Sequence, residues 1–294
     1  MVDQAETLRQ VFSPQRLLGR QDGGGARLLS ITSGKGGVGK TTLAVNLGIL
    51  LCRMGKRVLL LDGDLGLANV DVLLGLRPER TLYHVVEGKA TLADILLEGP
   101  EGLSVLPGAN GIPEMSDLNG DGSNNLLRDL TELDQVYDFV LVDTAAGIHR
   151  STFAFALAAD EVLLLTTPEP TAVTDAYAVV KLLFQNGRPR AVRLLMNMVR
   201  DRKEGERWTD RLLGVVEQFQ GRPLESWGSL SHDSSVMQSI RTQTPFVLRT
   251  PSSKLSSQLR EVALKLTEGS VDVELKRGWR AFLSRVLTGE LKKS

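Results

Sequence analysis

The chain has one cysteine in 294 residues, Cys52. A single thiol excludes a disulfide framework and a cysteine-held cluster within one chain. Net charge is equally scarce: 35 Lys and Arg stand against 35 Asp and Glu, so no overall field draws the chain to nucleic acid. Any basic function has to be local. Missing too are uncharged apolar runs of the ~20 residues needed to span a bilayer, and charges interrupt residues 1–20, where a secretory signal would be apolar. The expectation is a protein made and kept in the cytoplasm. Apolar residues are plentiful at 42%, enough for a sizeable core in one large or two small domains.

From Leu28 to Thr42 the chain reads LLSITSGKGGVGKTT, an apolar run, a glycine-rich turn and the start of a helix. Gly34–Thr41 fits G-x-x-x-x-G-K-[ST], the pattern of a phosphate-binding loop. Glycines at Gly36, Gly37 and Gly39 let the backbone turn so that successive N–H groups, through Val38 to Thr42, point at phosphate oxygens. Lys40 reaches the β- and γ-phosphates and Thr41 holds Mg²⁺. The helix beginning near Gly39 adds the positive end of its dipole.

In chain order, residues 2–12 read as one short helix with Val2, Ala5, Leu8 and Phe12 on a common side, ended by Ser13-Pro14. The stretch GRQDGGG at 19–25 is a flexible link. This predicts a tethered helix over 1–14 and a linker over 15–26. Leu43, Leu47, Leu50 and Met54 have helical spacing over 40–54, placing Cys52 as a small packed residue. A buried strand follows at Arg57–Leu61, and further apolar runs end at Leu106, Val142, Leu165 and Met196 with helical segments between them. Such alternation predicts a doubly wound α/β domain over 27–270, its sheet mostly parallel and covered on both faces. Ligands of these sheets sit at the carboxyl ends of the strands. Asp143 follows an apolar strand as a Mg²⁺-binding aspartate should, Asp64 is placed to orient or deprotonate an attacking water, and Gly147 lets its loop approach the γ-phosphate. Thr41, Asp64 and Asp143 are the expected metal set.

Lys35 is a charge that an ordinary phosphate loop does not require. GKGGVGKT resembles the deviant Walker A signature of the ATPases related to MinD, ParA and the nitrogenase iron protein. DGDLGLANVDVLLG, DTAAGI, TTPEPTAVTDAYAVVK and DQAETLR are most similar to the flagellar-number ATPases FlhG, FleN and YlxH, and the resemblance covers nearly the whole chain. It implies an ATP-dependent homodimer in which Lys35 reaches the phosphates of the opposite subunit, Lys40 and Thr41 bind phosphate and Mg²⁺, Asp64 activates water and Asp143 completes the site. Asn197 matches the adenine-contacting asparagine. Asp233 falls in the base-side loop, although SLSHDSSV lacks the proline expected before it. By the same resemblance Asp3, Gln4, Ala5, Leu8 and Arg9 belong to a helix that docks on the GTPase FlhF and stimulates it, with Gln4 near the reacting water. Basal-body components or a flagellar transcription regulator are further implied partners.

Base choice follows separately. A GTPase of this architecture would hold guanine with N-K-x-D, whereas this chain has Asn197-Met198-Val199-Arg200, which favours ATP. The arginine-rich stretch 186–228 is interspersed with Asp201, Glu204, Glu206 and Asp210 and reads as solvated helix faces, not a nucleic-acid surface. Trp208 and Trp227 read as core or interface. Within a C-terminal segment 271–294, Leu275, Trp279, Phe282, Leu283, Val286 and Leu287 share a sector roughly 140° wide on a helix, with Lys276, Arg277, Arg280 and Arg285 at or beyond its edge. That pattern suits an anionic membrane surface, or alternatively the domain's own core. The reading is an ATP-driven, peripherally membrane-associated switch controlling flagellar number or placement. A ParA- or MinD-type positioning ATPase and a phosphate-loop metabolic enzyme are the alternatives.

Overall fold

The computed structural model describes residues 25–64, 69–81, 84–85, 87–108, 136–147, 150–186 and 191–268. The expected tethered helix over 1–14 and the amphipathic segment over 271–294 lie outside them. Among the described residues no helix is long and apolar enough to cross a membrane.

Four strands, β1 (Arg27–Thr32), β2 (Val58–Gly63), β5 (Phe139–Thr144) and β6 (Glu161–Thr166), are buried at every position. That is the physical reason their sequences run apolar without alternation: both faces of the sheet are covered. With β3 (Leu97–Glu98), β4 (Ser104–Leu106), β7 (Ala191–Val199) and β8 (Glu225–Ser231) they form an eight-stranded sheet in the order β3-β4-β2-β5-β1-β6-β7-β8. All pairs are parallel except β3 with β4 at the edge. β1 lies between β5 and β6, so the winding reverses direction there and a crevice opens at the carboxyl end of β1.

The helices are α1 (Lys40–Arg53), α2 (Val70–Leu74), α3 (Leu92–Ile95), α4 (Arg150–Ala158), α5 (Pro170–Gln185), α6 (Arg202–Gln220), α7 (Ser235–Arg241), α8 (Phe246–Arg249) and α9 (Lys254–Glu268). Leu29, Ile31, Leu60, Leu141 and Leu163 face one layer with α1 and α9, where Leu47, Leu50, Leu259 and Val262 meet them. Leu28, Leu59, Val140 and Val142 face the other layer with α4. Val162, Leu164 and Leu194 continue that second layer under α5 and α6. Leu47 and Leu51 are fully buried, each contributing about 1.5–3 kcal/mol by leaving water. Cys52 is half-buried and burial pushes its thiol up to about 12, as suits a packed and unreactive residue. Trp227 is buried, and Trp208 packs partly buried against the second layer.

Several boundaries move from the sequence expectation. β2 extends past Leu61 to Gly63 and β5 past Val142 to Thr144, so Asp62 and Asp143 lie inside strands. Their register pairs Asp62 with Asp143 across β2 and β5. α1 stops at Arg53 with Met54 as its cap, and Ala26, assigned above to the linker, is buried.

At the amino ends of the strands, away from the crevice, a row of charges ties the sheet together, buried at Arg27 and Glu161 and exposed at Glu225. Arg27 pairs with Glu161, Glu161 with Arg193, and Arg193 with Glu225 at 3.1 Å. Arg27 stacks on Phe139 at 5.6 Å and Arg193 on Trp227 at 4.6 Å. Arg27 also donates to the carbonyl of Leu266 in the last turn of α9. The first described strand is thus fastened to the last described helix.

Candidate functional site

The loop between β1 and α1 is shaped by steric necessity. Gly37 and Gly39 have φ of 78° and 93°, the left-handed region that costs other L-residues about 1–2 kcal/mol. At Gly34 the requirement is proximity: an added Cβ would lie 2.4 Å from the backbone carbonyl of Asp175 in α5. Gly36 is the exception, its nearest neighbour being Ala146 at an ordinary 3.8 Å.

Lys40 is buried at the first turn of α1 and donates to the Ser33 hydroxyl at 2.9 Å. Ser33 Oγ in turn donates to the Lys35 carbonyl at 2.7 Å. Burial lowers the affinity of the Lys40 amine for its proton, while Asp143 and Asp64 nearby oppose that shift. Asp143 is buried at the end of β5 and accepts from the Thr41 hydroxyl; burial pushes it up to about 7. Its Oδ1 has no hydrogen-bond partner among the described residues. Asp62, next to it across the register, is pushed up to about 6 by burial despite accepting from the N–H groups of Asp64, Asn69 and Val70 at 3.1, 2.9 and 3.2 Å. Asp62 therefore holds both ends of the segment that carries Asp64. The Gly147 N–H donates to the Ser33 carbonyl at 2.9 Å, and Gly147 has φ 95°, which brings the loop after β5 beside the phosphate loop.

The expected residues thus divide by place. Gly34, Gly36 to Thr42, Asp64, Asp143 and Gly147 meet at the crevice beside β1. Lys35 turns to the loop after β6: its ammonium lies on Glu169 Oε2 at 2.7 Å and Thr171 Oγ1 at 3.3 Å, at the start of α5 and exposed. Asn197 donates to the Val38 carbonyl at 2.8 Å, so its amide nitrogen serves the phosphate loop. Asp233 accepts from the Ser235 N–H at 2.9 Å and holds the start of α7. The arginine-rich stretch contains the solvated pair Arg202–Glu206 at 2.6 Å on α6, in keeping with its interspersed acids, whereas Arg200, which precedes α6, pairs at 2.7 Å with the buried Glu204. Ser33, Asp62 and Glu169 were not singled out from the sequence. For Asp62 a signal existed, its place in the DGD run ending a strand; for Ser33 and Glu169 only the fold reveals the partner.

A Mg²⁺ ion fits the donor set. Thr41 and Asp143 offer hard oxygens side by side, and the orphaned Oδ1 of Asp143 is a buried acceptor needing a partner. Among the described residues no cluster of three or more His, Cys, Asp or Glu could hold a metal alone, so phosphate and water would complete the coordination. Bound there, Mg²⁺ supplies charge neutralisation to the phosphates. The protein's own part is a row of backbone donors, the Lys40 ammonium and a carboxylate at Asp64 that can orient water.

A doubly wound sheet with this loop at its switch point defines a phosphate-loop nucleoside triphosphatase. A family model described as an AAA domain matches residues 26–186. The chain is 42% identical over 240 residues to the antiactivator FleN of Pseudomonas aeruginosa, covering 82% of this chain and 86% of that one. It is 33% identical over 269 residues to the flagellum site-determining protein YlxH of Helicobacter pylori, covering 90% of each. Among solved structures, the septum site-determining protein MinD of Pyrococcus horikoshii complexed with Mg-ADP superposes with a TM-score of 0.67 at 27% identity, over 83% of this chain and 96% of that one. The chain belongs to the MinD/ParA family of ATPases, with FleN and YlxH among its relatives. It is an ATP hydrolase that uses Mg²⁺.

Proposed function

We propose that this ATPase is a dimerising switch that regulates flagellar number or placement at the inner face of the cell membrane. Its likeness to FleN and YlxH supports the flagellar role. The observation that carries the switch is Lys35: an exposed cation in the phosphate loop whose partners in its own chain are Glu169 and Thr171 at the start of α5. An exposed pair of this kind is worth about 0–1 kcal/mol, so Lys35 is held without being trapped. Two copies facing each other across ATP would each lend Lys35 to the other's phosphates. The nucleotide becomes part of the interface, and Asp64 orients the water that ends the dimer's life.

The two ends of the chain act as outputs. Residues 1–14, through Asp3, Gln4, Ala5, Leu8 and Arg9, dock on an FlhF-type GTPase and stimulate it; basal-body components or a flagellar regulator are further partners. Residues 271–294 lay Leu275, Trp279, Phe282, Leu283, Val286 and Leu287 on anionic lipid. Each basic residue near the surface adds about 1 kcal/mol, and a dimer presents two such helices, so avidity ties attachment to ATP. A MinD-type role in cell-division positioning is the second reading, supported by the likeness to MinD; activity of the DQAETLR segment on the GTPase distinguishes the two.

Mass photometry in Mg-ADP and Mg-ATP, with co-sedimentation on anionic liposomes, tests this. The expected result is monomer in ADP, dimer in ATP, and lipid binding that rises with ATP and is lost in Trp279→Glu/Phe282→Glu. A single oligomeric state in both nucleotides refutes the switch. For the N-terminal output, a peptide of residues 1–20 should accelerate the GTPase and Gln4→Ala should weaken the effect.

A further inference from the structure

The short helix α7 is packed inside out. Of its three apolar residues only Val236 lies against the core, and that one is half-buried. Met237 and Ile240 stand 58% and 37% exposed. Ser239 falls on the opposite side at ~100° per residue, is 4% exposed, and has an Oγ without a hydrogen-bond partner among the described residues. An unpaired buried hydroxyl weighs against the fold, and apolar side chains left in water add nothing to it. A helix arranged in this way gains by being covered from outside.

Charge on the same face says what covers it. Met237, Ile240 and Arg241 share a sector about 100° wide on the outer side of the helix. Arg249 donates to the Thr242 hydroxyl at 2.9 Å, which sets a second guanidinium at the carboxyl end of α7. Both arginines are exposed, and among the described residues neither pairs with a carboxylate. From Ser234 to Arg260 the chain carries Arg241, Arg249, Lys254 and Arg260 without one Asp or Glu. An apolar stripe edged by cations fits a helix that presents apolar residues with carboxylates beside them. Nucleic-acid phosphates would leave Met237 and Ile240 uncovered. A lipid surface is the wrong fit by place: α9 carries the chain back to the amino ends of the strands, where Arg27 holds Leu266, whereas α7 follows β8 at the carboxyl ends.

The helix is also tied toward the nucleotide. Just after it, Gln243 has φ 50°, and its Nε2 donates to the Val72 carbonyl of α2 at 2.8 Å. A Cβ on Gly75, which caps α2, would lie 3.1 Å from Gln243 Oε1, so the two segments touch. At the other end of α2, the N–H groups of Asn69 and Val70 donate to Asp62, which also accepts from the Asp64 N–H. α2 therefore reaches from Gln243 to the carboxylate that holds the Asp64 segment.

We propose that the outer face of α7 is a docking surface for an acidic amphipathic helix of a partner protein, and that Gln243 and α2 relay its docking to Asp64. The surface is independent of the flagellar and membrane reading; the relay rests on Asp64 as the group that orients water.

Fluorescence anisotropy of the full chain with a labelled helical peptide of about five turns, leucine on one face and glutamate beside it, tests the surface. Wild type should bind this peptide and not the version with lysine in place of glutamate. Met237→Ser/Ile240→Ser should weaken binding about tenfold with an unchanged melting temperature. Arg241→Glu/Arg249→Glu should reverse the preference to the lysine version. Ser239→Ala should bind the peptide like wild type and melt about 2–4 °C higher; a lower melting temperature overturns the inside-out packing. Absence of binding by wild type, or equal binding by Met237→Ser/Ile240→Ser, overturns the surface. So does loss of the ATP dimer in that variant, which would make α7 an interface between copies, and so does duplex DNA binding that Arg241→Glu/Arg249→Glu abolishes. In an ATP turnover assay the peptide should change the wild-type rate and leave that of Gln243→Ala unmoved although still bound. An unchanged wild-type rate, or an equal change in both, overturns the relay alone.

Discussion

Alanine placed in turn at Gly34, Gly36 and Gly39 should produce three different outcomes from one chemical change. At Gly36 the new methyl meets only Ala146 at 3.8 Å and φ is not left-handed, so the folded state is unaffected. The unfolded chain loses freedom, and stability should rise by about 0–1 kcal/mol. At Gly39 the residue is forced to φ 93°, costing about 1–2 kcal/mol, and its methyl displaces the Asn197 amide at 2.8 Å, adding about 1 kcal/mol for the lost bond to Val38. At Gly34 the obstacle is backbone: a methyl 2.4 Å from the Asp175 carbonyl needs about 1 Å of movement between the loop and α5, an overpacking cost of about 1–3 kcal/mol or more. Thermal unfolding without nucleotide reads these values, at about 2 °C per kcal/mol for a chain of this size. ADP titration should show Gly34→Ala and Gly39→Ala binding weakly and Gly36→Ala binding like wild type. If Gly34→Ala is as stable as Gly36→Ala, the close approach of the loop to α5 is wrong.

Lys35→Ala should bind ADP normally, since Lys35 engages Glu169 and Thr171 in its own chain, yet fail to form the ATP dimer by mass photometry; normal dimerisation sinks the assignment in trans. Asp64→Ala should slow phosphate release in a turnover assay while the ATP-bound dimer accumulates; loss of ATP binding instead would make Asp64 a structural residue. Asp62 and Asp143 are held up to about 6 and about 7, so the folded state keeps protons that the unfolded chain has released above its ordinary value near 3.8. Unliganded stability should therefore fall as pH rises from about 4 to 7. Mg-ADP affinity, which needs the Asp143 carboxylate, should fall about tenfold per unit below 7 by calorimetry, and a flat profile would mean the aspartate is not coupled to the metal.

The crevice was legible in the sequence because its parts are local. A phosphate loop is one short run between an apolar strand and a helix, and Asp143 stands at the end of an apolar strand where a metal-binding carboxylate belongs. Its supports were not legible, since they arise between distant segments: Lys35 with Glu169 is a pairing across 134 residues, and Asn197 with Val38 one across 159. Asp62 escaped notice because DGD offers two carboxylates. Only the register with Asp143, and the three N–H groups it accepts, show that the first braces the segment carrying the second. At Asp233 the fold adds a contact that the sequence does not show, an oxygen accepting from the Ser235 N–H at the start of α7.

The fastening of Arg27 to the Leu266 carbonyl has a mechanical meaning. Both boundaries of the described residues lie next to one buried joint, itself clamped by Glu161 and by the Asp160 carboxylate, which accepts from the Leu28 N–H at 3.0 Å. Tension between one end held by a protein partner and the other held by a membrane would load that joint directly, crossing a few ångströms of bonded side chains. The path along β1 to the phosphate loop would stay slack, so the nucleotide site could keep its geometry while the molecule is pulled from both ends.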